Sequence, residues 1–161
     1  MTTKTASLMN SAALKVAAAL WVVWGLVHMG AGVLTMANDT PDAVAGIADG
    51  VDEATLLAAT YPDAAGALIN QHGFNLLWIG AFTLVCAWFI WRGSLQSALL
   101  ASLVGGLTDV GYFLFMDLGG FVNFVPGTVM TIVSASAVIL TMWVWVSNRD
   151  AVVARPLESV R

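Results

Sequence analysis

The sequence predicts an all-α integral membrane protein, a four-transmembrane-helix antiparallel bundle with both termini cytoplasmic. Three observations carry that prediction: four apolar blocks of about 20 residues, cations confined to the segments at one end of those blocks, and carboxylates gathered in one segment. Of the 161 residues, 59% are hydrophobic and 10% charged, and the mean hydropathy is +0.84, far from a soluble domain. The net charge of −4 comes from the acidic segment, which excludes nucleic acid as a partner and leaves the lipid bilayer as the main one.

The first span is expected near residues 14–36, preceded by Lys4 and Lys15. Its apolar run exceeds the roughly 7 to 15 residues of a signal-peptide core, so it reads as a retained helix. Residues 38–65 form an acidic extracytoplasmic cap with short helices. Thr40-Pro41 supplies an N-cap and first turn, and Asp49 or Asp52 starts a second helix through Leu56 and Leu57. Val44, Ile47, Val51, Leu56 and Leu57 are expected over the bundle mouth. The spacing of the cap carboxylates does not match an EF-hand, so they read as a solvated surface.

The second span covers 66–91, and Arg92-Gly93-Ser94 leaves room only for a tight turn into the third, at 95–116. A short glycine-rich connection, 117–127, leads to the fourth span at 125–146, with Pro126 in its first turn. The polar last dozen residues are expected to fray. Lys4, Lys15, Arg92, Arg149, Arg155 and Arg161 all fall on one side of this topology, which makes that side cytoplasmic. Trp88, Trp91, Trp143 and Trp145 mark the same boundary, where amphipathic rings prefer the interface. In build, the chain resembles the small four-span proteins of bacterial inner membranes, which places it in the cell membrane as a multi-pass protein.

His28 and His72, the only histidines, lie in the first and second spans, and Asp109 lies in the third. Ionisable groups within a membrane span are costly and mark functional sites by default. At about 1.5 Å per residue, all three fall in the outer half of the membrane. His28 shares a stripe with Trp21, Gly25, Gly32 and Thr35; Asp109 shares one with Ser102, Gly105 and Tyr112. Stripes of small residues turn toward neighbouring helices, so both groups are expected to face the bundle interior. On the second span Asn75, Thr83 and Cys86 recur near the face of His72, and the patch 70–75 adds Gln71; the fourth span offers Thr128, Thr131 and Ser134. Asn75, Gln71 and Tyr112 therefore complete the candidate pocket around His28, His72 and Asp109.

Three chemistries suit that set. Two imidazoles and a carboxylate are adequate ligands for a transition metal such as zinc, iron or copper. His28 and His72 also suit a b-type haem, with Gly25 and Gly32 making room for the porphyrin. A proton-linked or quinone-linked site is the third, with imidazole exchanging protons with Asp109 and Tyr112. A purely structural role stands beside these, in which Asp109 and one histidine tie helices together. The leading expectation is a small cytoplasmic-membrane protein that binds a metal, haem or lipid-soluble ligand in this pocket. A non-catalytic accessory subunit of a larger membrane complex, or a homo-oligomer, is the alternative, and a proton-coupled small-molecule transporter is third. Cys86 is the sole cysteine, which excludes cysteine-pair oxidoreductases and c-type haem attachment. No span carries Glu, and neither a phosphate-binding glycine loop nor a nucleophile signature is present.

Overall fold

Apolar blocks flanked by turn formers become helices because the backbone must satisfy its own hydrogen bonds in lipid. In the computed structural model, which describes residues 2–153 and side chains over 11–148, the chain forms six α-helices. These are α1 (Thr2–Ala37), α2 (Thr40–Ile47), α3 (Glu53–Ala58), α4 (Asp63–Trp91), α5 (Leu95–Tyr112) and α6 (Val129–Val153). Single π-helical turns, Phe113–Asp117 and Phe124–Thr128, extend α5 and precede α6. Four stretches are long and apolar enough to cross a membrane: Ser11–Ala37, Asp63–Trp91, Leu95–Asp117 and Phe124–Asn148. They fall close to the four expected spans. The clearest departure is α1, which begins at Thr2 because no Gly or Pro interrupts the polar residues before the span. Lys4 and Arg149 lie where side chains are not described, and Arg155 and Arg161 lie outside the described residues altogether.

The four long helices follow one another round a ring, α1 packing on α4 and α6, and α5 on α4 and α6. The interior is built from small residues. Ala17, Ala18, Ala87, Ala98, Ala101 and Ala137 are buried, whereas Leu26, Leu34, Leu68, Phe115 and Ile139 point outward. That distribution suits lipid, where large apolar side chains gain nothing by burial and close backbone approach supplies the packing. The α1–α4 seam is closest. A Cβ on Gly32 would lie 2.5 Å from the Gly73 carbonyl oxygen, and one on Gly80 would lie 2.6 Å from that of Gly25. Two large residues interrupt this small-residue interior, Trp21 and Trp24, both fully buried on α1.

At the end where α4 turns into α5, Lys15 Nζ sits 5.7 Å from the Trp91 ring centroid and the Arg92 guanidinium 4.5 Å from that of Trp88. Gly93 takes a positive φ of 92°, which lets the turn close in two residues. At the opposite end, α2 and α3 form a cap. Asp39, not Thr40, is the N-cap of α2 and accepts from Asp42 N at 3.1 Å, placing Pro41 in the first turn. Asp52 caps α3, accepting from Thr55 N at 3.0 Å and Thr55 Oγ1 at 2.6 Å. Both Thr55 bonds hold the Asp52 carboxyl below the usual carboxylate range. Asp49 is no helix start. Its carboxylate accepts from Asn123 N at 2.8 Å, Asn123 Nδ2 donates to its carbonyl at 2.7 Å, and Gly50 N donates to Phe121 O at 3.0 Å. The two connections at this end are thereby zipped together.

Candidate functional site

Depth brings the three ionisable residues level. His28 is nine residues from the end of α1, His72 nine from the start of α4, and Asp109 eight from the end of its π-helical turn. Each therefore lies roughly 12–14 Å inside the cap end. A cavity of about 470 Å³ occupies this half of the bundle beneath α2, and His28, His72, Asp109 and Tyr112 all line it. Most of its wall is apolar, including Leu26, Val27 and Leu34, whose exposed side chains face outward between helices.

Behind the cavity wall, His28 and Asp109 are both held by Trp24, a fully buried residue that sequence reasoning passed over. Its indole Nε1 donates to Asp109 Oδ2 at 2.7 Å, and its carbonyl accepts from His28 Nδ1 at 2.8 Å. Its ring stacks on the His28 imidazole at 3.6 Å between centroids and 21° between planes. One residue thus holds both ionisable groups, and it does so across the ring, from α1 to α5. The signal lay in the sequence as the i, i+4 spacing of Trp24 and His28, which puts both side chains on one helix face.

A carbonyl can only accept, so His28 Nδ1 carries a proton in any ionisation state and a neutral ring leaves Nε2 with a lone pair. That lone pair faces Asp109 Oδ1 at 3.7 Å, beyond hydrogen-bond range. Asp109 is only 4% exposed, with the Ser134 hydroxyl beside its carboxyl. With a neutral imidazole and an ionised carboxyl, His28 Nε2 and Asp109 Oδ1 face each other as acceptors. Deeper on the same stripes, Trp21 Nε1 and Ser102 Oγ are buried without hydrogen-bond partners.

The remaining candidates divide. Tyr112 lines the cavity, and its hydroxyl lies against Gly127, where a Cβ would come within 2.5 Å of it. His72 lines the cavity too, yet its side chain remains exposed. Gln71 and Asn75, expected in the pocket, do not line it. Gln71 is exposed, and Asn75 turns along α4 to accept from Trp78 Nε1 at 3.1 Å. The reason is helical phase: Gly73, Gly80, Thr83 and Ala87 occupy the buried face, and Asn75 falls well off it. Thr128 and Thr131 also turn elsewhere, donating to the two oxygens of Asp117 at 2.6 and 3.1 Å. Among the described residues no three His, Cys, Asp or Glu side chains come together to hold a metal ion, so His28, His72 and Asp109 share a cavity without forming a ligand cluster.

Comparison with known protein families, curated protein sequences and solved structures gives no match. The site must be read from its own geometry.

Proposed function

We propose that the protein is a multi-pass cell-membrane protein that binds a small lipid-soluble molecule in the cavity beneath its cap. The observation that carries this reading is a mostly apolar cavity with a few polar groups in its wall, among them His28 and Asp109, both held by Trp24. That combination is the usual build of a small-molecule site, where apolar walls supply affinity and a few polar groups fix orientation. Its exposed wall of Leu26, Val27 and Leu34 gives an apolar molecule a route from the bilayer. A b-type haem suits the site less well, because His28 Nε2 is aimed at the Asp109 carboxyl and not at an open axial position. Lys15 and Arg92, which stack on Trp91 and Trp88 at the turn end, support an orientation with that end, and both termini, in the cytoplasm. The cap and cavity then face the outer side of the membrane.

The reading is tested with protein in neutral-lipid nanodiscs and four probes: dodecanol, dodecanoate, dodecylamine and a short-tailed benzoquinone. Native mass spectrometry and thermal unfolding should show saturable one-to-one binding of at least one probe. Ala31→Phe, which puts a ring into the cavity wall, should abolish that binding without unfolding the protein. Absence of saturable binding for all four, or full binding by a folded Ala31→Phe, overturns the proposal.

A further inference from the structure

At the Asp109 end of the cavity two acceptors face each other. With a neutral imidazole and an ionised carboxyl, Asp109 Oδ1 and His28 Nε2 stand 3.7 Å apart with no hydrogen between them, and the Trp24 indole N–H is already spent on Asp109 Oδ2. Asp42 adds a second carboxylate to the cavity wall on the cap side, and Asn38 adds an amide. Among the described side chains no Lys or Arg answers them, and His28, 3.7 Å from Asp109 Oδ1, is a cationic partner only when protonated. Among the described side chains the only Lys and Arg are Lys15 and Arg92, both at the far end of the bundle against Trp91 and Trp88. A buried carboxylate without a cationic partner is costly, and that cost is relieved by whatever brings a positive charge or a proton to it.

From this juxtaposition we infer that the ligand is a lipophilic primary amine, a protonated nitrogen on an apolar body, with one N–H directed to Asp109 Oδ1 and another to His28 Nε2. The inference rests on the lipid-soluble-ligand reading above and names its chemical class. A primary ammonium donates one N–H to each facing acceptor and brings a formal positive charge that no Lys or Arg among the described side chains supplies there. The apolar body lies along Leu34, Ile47 and Leu76, and the Trp24–His28 stack holds the imidazole edge in place. A fatty acid would set a second carboxylate against Asp109. A fatty alcohol gives one donor and no charge, so it satisfies one acceptor at most.

Three matched C12 probes separate the possibilities: dodecylamine, dodecanol and dodecanoate, each titrated into the protein in neutral-lipid nanodiscs below the pKa of the amine. Charge-assisted hydrogen bonding should make the amine bind at least about tenfold tighter than the alcohol, with the acid weakest. In Asp109→Asn that preference should fall to within about threefold while alcohol binding stays near wild type, since only the charged acceptor is lost. Alcohol binding as tight as amine binding in the wild-type protein overturns the amine assignment and leaves the cavity reading intact. Failure of all three probes, together with the benzoquinone, overturns both. Should Asp109→Asn not fold, the wild-type comparison of the three probes still decides the assignment.

Discussion

Replacing Gly32 by alanine tests the closest approach in the bundle. A Cβ there would lie 2.5 Å from Gly73 O and 2.6 Å from Leu77 N, both backbone atoms of α4. Ordinary contact begins near 3.4 Å, so α1 and α4 must separate by about 0.9 Å at this crossing (3.4 − 2.5) or shear along one another. Overpacking of this size costs about 1–3 kcal/mol, whereas alanine in place of an unhindered helical glycine gains up to about 1 kcal/mol. Gly30, two residues away with nothing within 4 Å of its would-be Cβ, is the internal control. Reversible unfolding in mixed micelles should therefore give opposite signs, with Gly32→Ala at least about 1 kcal/mol below wild type and Gly30→Ala at or above it. Equal stabilities of the two variants, within about 0.5 kcal/mol, would refute the argument that backbone contact at this glycine seam holds α1 to α4.

Trp24→Phe keeps the ring stacked on His28 but removes the 2.7 Å donor to buried Asp109, and should cost about 1.5–3 kcal/mol in the same unfolding assay. Combined with Asp109→Asn the losses should be clearly less than additive; simple additivity would show that the bond carries no coupling. At the exposed cap, the Asp52 carboxyl is held low in the folded chain, so its support for α3 is present above the unfolded pKa and lost as pH falls through the folded value. Carboxyl-carbon NMR should place its titration below about 3.9, and Thr55→Val should move it upward toward that value.

Much of the fold was readable from composition and length. Apolar blocks of about 20 residues dictate their own helices in lipid, and the ends of all four fall near Gly, Pro or charged residues. Helical phase was readable where small residues marked it, as along Gly25, His28 and Gly32 and along Ser102, Gly105 and Asp109. It misled on α4, where Asn75 and Gln71 drew attention by polarity while Gly73 and Gly80 mark the packed face. Trp24 was passed over because an indole in an apolar span reads as bulk. Only the fold reveals that its N–H and its carbonyl each meet an ionisable group. The pairing of Asp49 with Asn123 was equally hidden, since 74 residues separate them and neither belongs to a periodic segment.

That pairing also ties the two halves of the bundle together at the cap end. The hairpins α1–α4 and α5–α6 share a covalent turn at Gly93 and, at the other end, the three hydrogen bonds joining Asp49 and Gly50 to Phe121 and Asn123. At about 1 kcal/mol for each bond, parting all three costs about 3 kcal/mol, added to the packing of α1 on α6 and of α4 on α5 that joins the same two halves. The entry between helices proposed above, along Leu26, Val27 and Leu34, leaves every one of these bonds in place.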